Sequence, residues 1–240
     1  MASPRTTTTT PIPAAERLIF ALDVPGAADA RELVATLGDS VSFYKLGLEL
    51  FMSDGYFPLL HDLLGAGKKV FVDLKFFDVP RTVGAAVRRL NEHGACFVSV
   101  HGNDGMLKAA AREKGRQKIL AVTALTSLDR GDLRDLGFRC EVGDLVLSRA
   151  RRALEAGCDG VVASGLEAEA LRQSLGRELL VVVPGIRPVD NDDDQKRTVN
   201  VEQAFRHGAD YIVVGRPIRE AADPRAAAQD IQRRIAALFA

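Results

Sequence analysis

The stretch KVFVDLKFFDVPRTVGAAVRRLNEHGACFVSVHG, residues 69–102, decides the fold. It opens with a short, nearly continuous apolar run at 69–75, as expected of a strand buried on both faces. Pro80 and Arg81 begin an amphipathic stretch that runs to residue 93, with apolar residues at helical spacing. Gly94 then supplies a left-handed residue that closes the helix and returns the chain to the sheet. FVSVHG at 97–102 is the next strand. Strand, helix, glycine, strand is therefore the building unit.

Outward from this stretch the unit repeats. Further strand candidates are LIFALDV (18–24), SFYKLGL (42–48), ILAVTAL (119–125), GVVAS (160–164), LLVVVPG (179–185) and YIVVG (211–215). Helical candidates lie at 29–37, 56–66, 142–157, 167–175, 200–207 and 223–238, and the closing glycine returns in EAGCDGV and RHGADYI. Eight strands alternating with helices over 16–240 predict a single-domain α/β fold, a (β/α)8 TIM barrel. A doubly wound open sheet is the alternative, but no GxGxxG follows the first strand, where a dinucleotide fold would carry it. Residues 1–15, with a threonine run and two prolines, read as a disordered N-terminal extension.

Composition narrows the partners. Lys+Arg and Asp+Glu balance at 32 each, so no general electrostatic grip on nucleic acid is expected. An anionic small ligand needs only a local cluster of charge. No apolar run reaches the roughly 18–20 residues of a membrane span, and the N-terminus lacks the apolar core of a secretory signal. The expectation is a cytoplasmic protein that engages neither membrane nor nucleic acid. Cys96, Cys140 and Cys158 are far apart, form no metal-ligand array and read as reduced thiols.

In a barrel of this kind chemistry sits at the C-terminal ends of the strands. Polar residues that a packed core would not choose fall there repeatedly: Asp23, Lys45, Asp73 and Lys75, His101, Thr126, Ser164, Arg187 and Arg216. The densest element is VDLKFFDVPRT. Side chains two apart on a strand share a face, so Asp73 and Lys75 should point together into the barrel mouth, with Asp78 where the loop begins. An internal ion pair is the bland reading, yet desolvation costs what attraction gains, so such a pair is poor evidence for stability alone. Lys45, amid apolar neighbours, either snorkels to the rim or completes a Lys45–Asp73–Lys75–Asp78 array.

These residues carry a resemblance. ALDV (21–24), YKLG (44–47), the D-x-K-x-x-D of Asp73, Lys75 and Asp78, PGIR (184–187), DQ (194–195) and VVGRPI (213–218) occur in order. The pattern resembles bacterial orotidine 5′-phosphate decarboxylase across residues 16 to 240. The resemblance implies decarboxylation of orotidine 5′-phosphate to uridine 5′-phosphate in pyrimidine biosynthesis, with no metal and no organic cofactor. It implies that Asp23 and Lys45 hold ribose hydroxyls, Asp73 sits against the scissile carboxylate, and Lys75 delivers a proton to C6. Asp78 and Thr82 would reach the site of the partner subunit in a homodimer. Thr126 would read the pyrimidine. Gln195, Arg187 and Arg216, with Pro184 and the backbone at Gly215, would hold substrate at the phosphate end. Pro217 would open a short helix whose free N–H groups face an anion. The acidic, short segment PVDNDDD between Arg187 and Gln195 departs from that pattern.

Two rivals remain open. A metal-dependent sugar-phosphate decarboxylase or aldolase of the same wider group places a carboxylate where this chain has Lys45, so that Mg²⁺ can hold an enediolate. A catalytically idle nucleotide-phosphate sensor would keep Gln195 and Arg216 but would not need the lysine–aspartate array. His101 and Ser164 read as structural, the Asp run at 190–194 as solvated, and RARR at 149–152 as a solvent face.

Overall fold

The computed structural model describes residues 11–187 and 198–240. Eight parallel strands close into a barrel in chain order. They are β1 (Leu18–Ala21), β2 (Phe43–Gly47), β3 (Lys69–Phe76), β4 (Phe97–Val100), β5 (Lys118–Val122), β6 (Gly160–Val162), β7 (Leu180–Val183) and β8 (Tyr211–Val214). The strands are short because each needs only to cross the barrel wall, and their burial on both faces explains the unbroken apolar runs.

Alternation along the strands sorts side chains into two cores. Outward-facing residues such as Phe20, Tyr44, Val72 and Val98 pack beneath the helices. Inward-facing Ile19, Phe43, Phe71, Phe97, Leu120, Val182 and Tyr211 fill the barrel. The Phe43 and Phe97 rings lie 5.0 Å apart, and Tyr211 meets Phe97 edge-on at 5.1 Å. This aromatic plug closes the interior below the strand ends. It is a floor, and the polar residues stand above it.

The surrounding helices are α1 (Ala27–Leu37), α2 (Leu48–Phe51), α3 (Tyr56–Gly65), α4 (Pro80–Glu92), α5 (Asp104–Glu113), α6 (Arg130–Asp135), α7 (Val142–Ala156), α8 (Ala168–Leu175), α9 (Val201–Arg206), α10 (Arg216–Arg219) and α11 (Pro224–Leu238). Helix α5 was not among the segments read from the sequence, and neither were α2 and α6. Gly94 and Gly157 have φ of 84° and 88°, the left-handed region their place before a strand demands. The fold starts before residue 16: Ala14–Glu16 forms a 3-10 turn and Ile12 packs against the interior cluster. Residues 1–10 of the expected extension lie outside the described residues. Among the described residues no helix is long and apolar enough to cross a membrane.

Candidate active site

Three neighbouring strands share one phrase. Phe43-Tyr44-Lys45 on β2, Phe71-Val72-Asp73 on β3 and Phe97-Val98-Ser99 on β4 each place an aromatic ring in the floor and a polar group two residues nearer the mouth. Lys45 Nζ donates to Asp23 Oδ1 at 2.7 Å and lies 3.7 Å from Asp73 Oδ2. Lys75 Nζ donates to the same Asp73 Oδ2 at 3.0 Å. Ser99 Oγ donates to Asp73 Oδ1 at 2.7 Å. Of the expected Lys45–Asp73–Lys75–Asp78 array, Lys45, Asp73 and Lys75 come together within this chain, joined by Asp23 through Lys45 and, unforeseen, by Ser99, whereas Asp78 stays apart.

Gly47, the last residue of YKLG, is a requirement of space. A Cβ there would stand 2.8 Å from Asp23 Oδ1 and 3.0 Å from Lys45 Nζ. The glycine lets the ion pair pass across the end of β2.

Asp73 and Lys75 do point together, though not by simple alternation. Val72 pairs with Val98 but Phe76 pairs with Val100, so β3 spends four residues where β4 spends two. Lys75 takes up the excess with φ of 48°, alone among described non-glycine residues in having positive φ. A left-handed lysine is uncommon, costs on the order of 1–2 kcal/mol, and persists where its surroundings hold it. Its amide, turned from the ladder, donates to Ser99 Oγ at 2.9 Å.

Asp73 is almost fully enclosed. Burial alone would raise its pKa, but the Lys45 and Lys75 ammoniums and the Ser99 hydroxyl outweigh it and hold the carboxyl below its ordinary value. It is an anion fixed between two cations.

A cavity of about 510 Å³ opens above the array. Its base is apolar, from Ala21, Phe71, Val122, Val162 and Val213, and one wall carries Leu125, Thr126 and Ser127. The segments after β7 and β8 contribute Pro184, Gly185, Arg187, Gly215, Arg216 and Arg219 to the lining. They thus bring guanidiniums to a cavity that also holds the carboxylates and ammoniums from β2, β3 and the segment after β1, and the two sets adjoin where Arg219 reaches the Asp23 carbonyl. Gln195 and the acidic run lie outside the described residues. Helix α10 corrects one expectation. Arg216 opens it, and the amides of Ile218 and Arg219 both donate to the Gly215 carbonyl at 3.0 Å. With Pro217 lacking an N–H, those amides do not face an anion, and the arginine side chains carry the positive charge.

Asp78 and Thr82 do not line this cavity. Both are exposed, and Asp78 Oδ1 accepts from the Val79 amide at 2.6 Å. His101 also lies outside it, edge-on to Phe77 at 5.5 Å; burial, then Arg149 and Lys75, lower its pKa. Ser164 is buried and accepts from the Leu166 amide. The RARR segment is not wholly a solvent face: Arg149 turns inward, donating to the Thr123 carbonyl at 2.5 Å, and Arg152 pairs with Asp104 at 2.7 Å. Besides Ser99, sequence reading missed Glu49 and Arg219 in the cavity wall. Arg219 Nη1 donates to the Asp23 carbonyl, tying the helix after β8 to the end of β1.

Comparison with known proteins gives a consistent result. The family model described as orotidine 5′-phosphate decarboxylase / HUMPS matches residues 16–231. The orotidine 5′-phosphate decarboxylase of Methylococcus capsulatus is 66% identical over 232 residues, 96% of each chain. That of Xanthomonas euvesicatoria is 54% identical over 230 residues, covering 95% of each. Among solved structures, the orotidine 5′-phosphate decarboxylase of Lactobacillus acidophilus superposes with a TM-score of 0.82 at 35% identity, covering 92% of this chain and 99% of its own.

Proposed function

The chain belongs to the orotidine 5′-phosphate decarboxylase / HUMPS family, and on that premise we propose that it converts orotidine 5′-phosphate to uridine 5′-phosphate and carbon dioxide, a step of pyrimidine biosynthesis. The family carries two names, so membership alone does not choose the reaction. Lys45 does. Its ammonium lies between Asp23 and Asp73, 2.7 Å from one and 3.7 Å from the other. A metal-dependent relative would need that space for a divalent cation, which the ammonium repels. The array supplies its own positive charge, and the proposed reaction uses neither metal nor organic cofactor.

The chemistry asks for such an array. When the bond between C6 and the carboxylate breaks, the electron pair stays on C6 in the plane of the ring, with no delocalising group. An ammonium fixed beside that carbon stabilises the charge and then transfers its proton, leaving a neutral lysine that solvent reprotonates. Lys75 has this role. Asp73 sits against the departing carboxylate and, tied to Lys75, aims it. Asp23 and Lys45 take the ribose hydroxyls and Thr126 the pyrimidine. After β7 and β8, Arg187 and Arg216, with Pro184, the Gly215 backbone and Gln195, take the phosphate. Binding energy at the phosphate pays for ordering the reacting groups.

Asp78 and Thr82 serve the site of a partner subunit in a homodimer. Asp78 is exposed and flanked by Phe77 and Val79, themselves 66% and 61% exposed, while Leu48 and Met52 after the neighbouring strand are 61% and 79% exposed. An apolar rim around a carboxylate suits a covered interface. The substrate is a water-soluble nucleotide, and a cytoplasmic enzyme, engaging neither membrane nor nucleic acid, is the matching expectation. A spectrophotometric assay tests the function: orotidine 5′-phosphate should be consumed with release of uridine 5′-phosphate. Substrate bound but never consumed would support the idle phosphate sensor instead.

A further inference from the structure

Ser99 closes the series Lys45, Asp73, Ser99 on consecutive strands, yet it is neither charged nor in the cavity wall. It is fully buried, and both its hydrogen bonds go to the reacting pair. We propose that Ser99 is a positioning residue for the decarboxylation proposed above, on which this inference rests: its hydroxyl sets the rotation of the Asp73 carboxylate and pins the left-handed backbone that aims Lys75.

The direction of each hydrogen bond follows from the partners. A backbone amide only donates and an ionised carboxylate only accepts. The amide of Lys75, 2.9 Å away, therefore spends its proton on Ser99 Oγ, and the serine proton must point at Asp73 Oδ1, 2.7 Å away. With Oδ1 so engaged, Oδ2 is turned to the two ammoniums, Lys75 at 3.0 Å and Lys45 at 3.7 Å. The same hydroxyl satisfies the Lys75 amide, which lies within the β3 irregularity. Without it, a buried donor and one oxygen of a buried carboxylate lose their shared partner together, and the left-handed backbone of Lys75, at φ of 48°, loses the hydrogen bond to its amide.

The groups facing Asp73 are Lys45 from β2, Lys75 from its own strand, Ser99 from β4, Tyr56 from α3 and, through Lys45, Asp23 after β1. Only Ser99 among them is a neutral donor in direct contact. Its removal should weaken the ionised form of Asp73 without changing the charge of the site.

The test compares wild type, Ser99→Ala and Ser99→Thr in single turnovers of orotidine 5′-phosphate, in affinity for uridine 5′-phosphate, and in the titration of Asp73 by carboxylate ¹³C NMR without substrate. Loss of a hydrogen bond to a charged group should slow the Ser99→Ala single turnover about 10- to 100-fold while product affinity stays within about twofold. Ser99→Thr, which keeps the hydroxyl, should recover most of the rate. Asp73 should titrate at a higher pH in Ser99→Ala than in wild type. An unchanged rate in Ser99→Ala overturns the proposal, as does a fall in rate matched by product affinity and not rescued by threonine. A wild type that never consumes orotidine 5′-phosphate defeats the proposed function instead. The Asp73 titration then still judges the serine, and an unmoved titration overturns its role.

Discussion

Asp73 and Asp78 stand five residues apart in one motif and occupy opposite environments. Asp73 is buried, bonded to Ser99 and Lys75 and near Lys45. Asp78 is exposed beyond the strand and, among the described residues, accepts from its neighbour's amide. The inner half of D-x-K-x-x-D rides on a strand, where neighbouring strands supply partners. The outer half rides on a loop between two exposed apolar residues. Proximity in sequence thus does not mean membership of one site: the inner half lines this chain's cavity, and the outer half, on the proposal above, serves a partner subunit's.

The largest effect should come from the inner half. Lys75→Ala should lower turnover roughly 10³-fold or more, since on the proposed mechanism it removes both the electrostatic stabiliser and the proton donor. The circular dichroism spectrum should be unchanged. Near-normal turnover would remove Lys75 from the mechanism. Asp78→Ala should also be severely impaired, and here the two halves separate. If sites are shared across an isologous dimer, mixing the two variants with subunit exchange should restore roughly a quarter of wild-type activity, because half the dimers are mixed and each has one intact site. No recovery despite demonstrated exchange would place Asp78 outside a shared site.

Asp73→Asn probes how tightly the inner half is bound to the fold. The variant leaves two ammoniums without their shared anion and should unfold about 2–3 kcal/mol more easily at neutral pH, discounting the part-exposed Lys75. Because the folded state depresses the Asp73 pKa, this difference should hold above the ordinary value of 3.8 and fade as pH falls through the lower native value. Denaturant titrations at several pH values would show it, and a gap that widens on acidification would contradict the assignment. Gly47→Ala should act more gently. Its methyl group displaces the Asp23–Lys45 pair, and kcat/KM should fall about tenfold with the fold intact. Chelation should have the smallest effect, namely none. Activity abolished by a chelator and restored by Mg²⁺ would favour the metal-dependent rival.

The barrel was legible because its strands are short, apolar and separated by helices ending in glycine. The array was legible because charge is conspicuous in such strands. Ser99 was missed because a lone serine in FVSV carries no charge to mark it. The signal was nonetheless present: FYK, FVD and FVS repeat one phrase on successive strands, and a strand buried on both faces must give its polar residue a partner. Helix α5 was missed because HGNDG at its start reads as a turn. The conformation of Lys75 had no local signal, since the register shift that causes it belongs to the pairing of β3 with β4. Arg149 was assigned to a solvent face by periodicity, which cannot see the carbonyl of Thr123 that draws it inward.

The most direct measurement is a crystal structure with a pyrimidine nucleotide bound that carries an inert anionic substituent at C6. Lys75 Nζ should lie about 3 Å from that substituent, with Asp73 beside it and the phosphate at Arg187 and Arg216. A lysine nitrogen directed away from C6, with Asp73 still holding it there, would contradict the account.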